Sequence, residues 1–587
     1  MKRVCYLLIG ILLPSTLMTQ VVSAATYGDY EYAVKGDGTL EISGYTGPGG
    51  DVNVPSHFNG TNVTSIGQYA FQNKDSLTSV TLPYGVFSIK QNAFFDCDGM
   101  ISISLPDSLL TVAGSAFAWC DNLTSIWIPA SVTNFDRTAI TFCPSLTNIS
   151  VHTQNVAYSS IDAVLFNKDG TVLIAFPDAK PGASYIVPVG VTTIGSLAFY
   201  HSDFVASVIL PDGLTTIKDQ AFQQSKQLAA VNIPRGVATI GDSAFQNCDK
   251  LTSISIPDSV TNIGPWHVFY GCKKLASINV ETSSVAFCSI GGVLFNRDRT
   301  TLTAYPAAKP DVMYSVPGGV ENIGPGAFAY AVNLTSVILP DGTTNIWADA
   351  FENAASISTI VIPPSVTEIG DAAFSGCSAL TSAKIPDGIT ILRNFLFLNC
   401  RSLLSVHIPQ SVTKIYPFAF SGCTSLTSVT IPDGVSEIGY YAFEKCSSLS
   451  TITIPQGVGS IQFSTFQNCT NLYAVILSGN APLVSESAFS GSGHVKIYYR
   501  SDATGFTTTL GGRPTALWPK ITNMVVLAGI LTIGTEGTDG EVYILKQSTN
   551  LRYSTWTQLG ENTVTNGSLD FSSPLDDITR LFRIVVK

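Results

Sequence analysis

Proline spacing is the feature that most constrains this chain. Prolines stand at Pro83, Pro106 and Pro129, at Pro188, Pro211, Pro234 and Pro257, and at Pro317, Pro340, Pro363, Pro386, Pro409, Pro432 and Pro455, always 23 residues apart within a group. The stretch "SVTKIYPFAFSGCTSLTSVTIPDGVSEIGYYAFEKCSSLSTITIP" (411–455) repeats one frame twice, Val-x-x-Ile-x-x-x-Ala-Phe-x-x-Cys-x-x-Leu-x-x-Val/Ile-x-Ile-Pro. A unit this short cannot bury its own apolar row, so neighbouring units must stack and share one core.

Counted from its proline, a unit places apolar residues at +3, +6, +11, +17, +20 and +22, with Ala at +10 and often Cys at +14. After Pro83 these are Val86, Ile89, Phe94, Met100, Ile103 and Leu105, with Ala93 and Cys97. The last three make a Leu-x-x-Leu-x-Leu strand whose alternate side chains point inward, the mark of leucine-rich repeats. Proline just after the strand lacks the donor that pairing needs, and Asp-Gly or a similar pair then turns the chain. The expected fold is a mainly β repeat solenoid of 23-residue units with a parallel β-ribbon. A short helical turn with buried Phe is expected over Ala-Phe-x-x-Cys on the convex side.

The repeat "LTSVTIPDGVSEIGYYAFEKC" resembles the BspA-type leucine-rich repeat family, over about residues 26–520. "YAVKGDGTLEISGYTGPGGDVNVPSHFNGTNVTSIGQYAF" (32–71) is similar to that family's β-cap, and "VKIYYRSDATGFTTTLGGRPTALW" (495–518) to its terminal strand and turn. The resemblance implies an extracellular protein engaged in adhesion or surface recognition.

Two related inserts interrupt the period, "VAYSSIDAVLFNKDGTVLIAFPDAKPGASYIVP" (156–188) and "VAFCSIGGVLFNRDRTTLTAYPAAKPDVMYSVP" (285–317). Apolar runs flank Asn167–Gly170 and Asn296–Arg299, so each reads as a β-hairpin that shapes the ribbon or projects a binding edge. The expected organisation is a signal peptide over 1–24, an N-terminal β-cap over 25–59, and a solenoid over 60–492 with inserts at 153–187 and 281–316. A terminal cap strand and turn over 493–520 and a small β-sandwich-like module over 521–587 complete it.

The signal peptide follows from Lys2 and Arg3, an apolar run to about Met18, and Val22-Ser23-Ala24 before Ala25. A secreted or cell-surface protein without membrane insertion after cleavage is expected. The formal charge of −11, from 31 basic and 42 acidic residues, becomes more negative without Lys2 and Arg3. No Lys/Arg cluster offers a footprint for nucleic acid, so none is expected as partner.

Twelve cysteines in an exported chain ordinarily announce disulfides. Here Cys377, Cys400, Cys423, Cys446 and Cys469 repeat at the coil period, as do Cys97, Cys120 and Cys143. Stacked with parallel Cα–Cβ vectors, they hold their Cβ atoms about 4.8 Å apart, beyond the usual disulfide range, so free buried thiols are expected. No Cys-x-x-Cys, His-Glu-x-x-His or Gly-x-Ser-x-Gly pattern is present, and no catalytic group, cofactor or metal site is expected. The acidic turns "KGDGTL" (35–40) and "GTEGTDGE" (534–541) read as ordinary turns.

The remaining candidates lie on the outward face of the ribbon. Its third strand position is mostly Ser, and its fifth varies, placing Trp127 on one rung and Ile338, Val361, Lys384 and His407 on four successive ones. These five are the expected binding patch for an extracellular protein or glycan, because covering exposed apolar groups releases water. A spacer or matrix component, or a polysaccharide-gripping accessory protein, are the alternatives; β-branched outward residues also simply favour strands.

Overall fold

The computed structural model describes residues 25–517 in full and, beyond them, the backbone of six strands between 520 and 586. The leader expected over 1–24, with Cys5, lies outside the described residues. The described residues fall into two compact units, one within 1–181 with 197–201 and the other within 182–196 with 202–587.

In both units a coil begins with a ribbon strand that pairs in parallel with its equivalent one coil later. In the first unit Val80 lies opposite Ile103, and Ile126 opposite Ile149. In the second, Ser336–Ile338 pairs with Thr359–Val361, and Ser382–Lys384 with Ser405–His407. Side chains alternate outward and inward, as period-two geometry requires. Ser428–Thr430 keeps the inward Val429 buried but is not a regular strand. The repeat proline then ends pairing, and its carbonyl accepts the N–H three residues on, closing the Asp-Gly turn; Val435 N to Pro432 O is 3.0 Å.

A second parallel ladder follows, built from strands of only two residues. Ser88–Ile89, Thr111–Val112 and Asn134–Phe135 pair in sequence through Ile89, Val112 and Phe135. The stretch through Ala-Phe-x-x-Cys is not the helical turn expected of it. Among the described residues the helical exception is the 3-10 turn Arg137–Ile140. The reason is that coils hold left-handed residues at +9 and +13, such as Asn92 and Asp96, Asp349 and Asn353, or Phe395 and Asn399, with φ between 56° and 59°. A right-handed helix cannot contain them. The N–H groups instead bond across coils, as from Phe94 to Ala116 O and from Phe117 to Ala139 O, each 2.8 Å.

Between the ladders runs the core. Its +11 phenylalanines stack coil on coil, Phe328 on Phe351 at 4.9 Å and Phe420 on Phe443 at 5.3 Å between ring centroids. Beside them, all eleven described cysteines are free. Each ladder thiol donates to a phenylalanine carbonyl of the preceding coil, Cys97 to Phe71 O at 3.0 Å and Cys423 to Phe397 O at 3.1 Å. Burial first, with nearby acidic groups adding to it, pushes the Cys97 and Cys377 thiols up to about 12.

Each insert contains the expected hairpin and one strand more. Tyr158–Ile161, Val164–Asn167 and Val172–Ala175 form an antiparallel meander in the first unit, and Phe287–Ile290, Val293–Asn296 and Thr301–Ala304 form its counterpart in the second. At the tips an asparagine fixes the turn: Asn296 Oδ1 accepts the Thr301 N–H at 2.9 Å and its Nδ2 donates to Thr300 Oγ1 at 2.8 Å. At the start of the chain Tyr30–Val34 and Leu40–Tyr45 pair and cap the first coil, with Phe58 buried under Tyr27, Tyr30 and Tyr32. Beyond residue 520 six strands form two three-stranded antiparallel sheets. No helix among the described residues is long and apolar enough to cross a membrane.

Candidate functional site

The outward ribbon column has the geometry that its repeat demands. Ile338 and Val361 are register partners on adjacent strands and are 48% and 74% exposed. Lys384 and His407 are likewise register partners, both exposed. The coils between these pairs are joined by the Thr381 N–H to Ser358 O at 3.2 Å and by the Thr381 hydroxyl to the same carbonyl. Two apolar groups therefore precede two basic side chains along one column. Neither the Lys384 nor the His407 side chain has a hydrogen bond or ion pair among the described residues. Trp127 belongs to the first unit, opposite Ser150, with its half-exposed ring edge-on to His152 at 6.0 Å. Ile186 and Ile209 form another exposed register pair in the second unit.

Sequence reasoning missed aromatic residues beside the second ladder. Phe395, Phe418 and Tyr441 occupy successive +9 positions and stack at 5.0 and 4.8 Å, and Tyr440 stacks on Phe463 at 4.9 Å. The signal was present as aromatic residues between the short strand and Ala-Phe, where the frame prescribes none. Trp266 and Trp347 occupy the same stretch of their own coils, 45% and 37% exposed.

A polar cluster that sequence reasoning also missed straddles the second insert. His267 Nε2 stands 3.0 Å from Asp349 Oδ2, and the Tyr270 hydroxyl donates to Glu352. Burial raises the pKa of Glu352 from its ordinary value, although the tyrosine hydrogen bond opposes it. Both carboxylates are thus engaged by side chains of the coil before the insert. The arrangement fastens loops together. Asp37, in the first acidic turn, is spent on the Thr39 N–H and hydroxyl. The second turn lies largely outside the described residues. No group of three or more metal-ligating side chains occurs among the described residues.

The BspA type Leucine rich repeat region, in six copies, matches residues 55–171, 183–303, 313–417 and 390–509. The chain belongs to the BspA-type leucine-rich repeat family. Its members are typically surface or secreted proteins. Solved structures similar to this chain include a leucine-rich repeat protein from Eubacterium ventriosum, 20% identical, with a TM-score of 0.40 over 82% of this chain and 96% of that one. A leucine rich cell surface protein from Faecalibacterium prausnitzii is 26% identical, with a TM-score of 0.33 over 78% and 95%. The pneumococcal vaccine antigen PcpA is 17% identical, with a TM-score of 0.27 over 82% and 95%. None of the curated proteins compared with the chain matches it.

Proposed function

We propose that this BspA-type protein is a non-catalytic extracellular or cell-surface binding protein that recognises a protein or glycan through its ribbon. The observation that carries the reading is the column Ile338, Val361, Lys384 and His407, in which two exposed apolar side chains lie side by side and two basic ones follow. Apolar surface supplies affinity when covered, and the unpartnered basic groups give direction to an acidic or hydroxyl-rich partner. Trp127 offers a separate aromatic contact on the first unit's ribbon. The fifth-position column carries no acidic pair, which supports recognition over hydrolysis.

The test is binding of residues 25–587 to an array of extracellular proteins and glycans, beside an Ile338→Asp/Val361→Asp variant. Both substitutions replace outward side chains, so melting is expected to change little. Selective binding that weakens roughly tenfold or more in the folded variant is the expected result. Binding by neither protein would sink the reading and favour a spacer or matrix role.

A further inference from the structure

Within the second unit the insert interrupts the two-residue ladder. It runs through Thr216–Ile217, Thr239–Ile240 and Asn262–Ile263, and begins again on the insert strand Thr301–Ala304, which pairs with Asn322–Ile323 and then with Asn345–Ile346 through the latter. An open cleft of about 1020 Å³, counting the solvent at its mouth, lies at this break. Trp266 follows the last strand before the break, and Trp347 follows a strand beyond it; both line the cleft with Phe287, Thr301, Thr303 and Asn322. From Thr303 to the coil of Trp347 is two strand spacings, about 10 Å. That length accommodates a short run of sugar rings.

The two tryptophans are held in place. His267, next to Trp266, contacts Asp349, two residues beyond Trp347, so one polar contact joins the loops that bear both indoles. The Trp266 backbone N–H donates to Asp242 Oδ1 at 2.9 Å, and the Trp347 backbone N–H to Ile323 O at 3.0 Å. Gly326 lets these loops close: a Cβ there would lie 2.9 Å from His267 Cδ2, and its φ is +64°. A site fixed before binding spends little on ordering.

The lining chemistry selects the ligand. No ionisable side chain lines the cleft, although the chain has 42 acidic residues, so a neutral partner is matched. The indole N–H groups and the hydroxyls of Thr301 and Thr303 have no partner among the described residues. Asn322 Oδ1 accepts from Asn345 at 2.8 Å, which leaves its own NH2 to donate. Flat apolar faces beside groups that both give and accept hydrogen bonds suit a pyranose, whose C–H face stacks on indole while its hydroxyls donate and accept. A polyproline segment would also stack, but its prolines have no N–H to offer the threonine oxygens.

The insert architecture does not itself require tryptophan at these places. Counted from each insert's closing proline, Pro188 and Pro317, the first insert has Arg137 and Lys218 where the second has Trp266 and Trp347. We propose that the cleft between Trp266 and Trp347, with Thr301, Thr303 and Asn322, is a binding site for a neutral oligosaccharide, separate from the ribbon column.

Calorimetric titration of residues 25–587 with cello-, manno-, xylo- and maltohexaose, hexagalacturonate and decaproline tests this. Saturable binding of at least one neutral hexasaccharide, stronger than of hexagalacturonate, is expected. Trp266→Ala and Trp347→Ala should each weaken it by roughly tenfold or more, and Trp347→Phe, which keeps an aromatic face, by less. The Ile338→Asp/Val361→Asp variant should bind the sugar unchanged, so failure here and failure of the ribbon reading are separable. The proposal falls if no neutral hexasaccharide saturates, if both alanine variants bind normally while folded, or if decaproline occupies the cleft in place of sugar.

Discussion

A ladder cysteine in this chain is held neutral by desolvation and by donating its proton to a carbonyl one coil away. Burial takes Cys97, Cys377 and Cys469 from the ordinary 9.0 up to about 12. Between those values the unfolded chain has released protons that the folded chain retains, so the unfolded state binds fewer and stability falls as pH rises. The thiols' contribution to the unfolding midpoint should therefore hold steady below pH 9 and fall from about pH 9 towards 12, and Cys423→Ala should shallow that fall. In native residues 25–587, of the eleven described cysteines half-buried Cys288 alone should react readily with a thiol reagent, the other ten reacting on denaturation. Rapid native labelling of several ladder thiols would contradict this account. The ladder was legible because cysteine recurs at one position of a fixed period. The left-handed residues were less so: Asn, Asp or Gly at +13 hints at positive φ, but Phe395, Phe418 and Tyr441 adopt it at +9 with no compositional sign.

At the scale of the element, the coil is the unit that can be gained or lost. Removing residues 410–432 joins Pro409 to Asp433-Gly434, which restores the Pro-Asp-Gly turn and brings Phe397 against Phe443 in the stack. The shortened protein should keep a cooperative melt at slightly lower temperature, since a repeat array loses one coil and one interface. Removing 410–420 alone would set strand against turn, placing inward residues at outward positions, and should abolish the cooperative transition. Equal melts from both deletions would show that stacking register does not govern stability. Register was readable because the ribbon strand carries three inward residues in six positions. The second ladder was not readable, because two-residue strands such as Thr111–Val112 are too short to express any periodicity. Its pairing is imposed by neighbouring coils, and so is the tryptophan cleft, whose residues meet only when the coils before and after the second insert are stacked.

For the whole molecule, stacked coils leave an end that must be closed. Leu40–Tyr45 covers Thr61–Ile66 in parallel, Leu40 opposite Val63, and Tyr30–Val34 covers Leu40–Tyr45 in turn. A chain beginning at residue 60 would lose Phe58 and its tyrosine lid and would present Thr61–Ile66 as a bare edge above an open core. Unpaired edges of this kind recruit other chains. Light scattering after size exclusion should show residues 60–587 self-associating at concentrations where residues 25–587 keep their original mass. Residues 60–587 keep 28 basic and 37 acidic side chains, and this net negative charge opposes such contacts, so association should grow as added salt screens it over a length near 10 Å at 0.1 M. If 60–587 matched the parent's mass and melting at both low and high salt, closure by the cap would not be what keeps this end of the repeat stack from pairing.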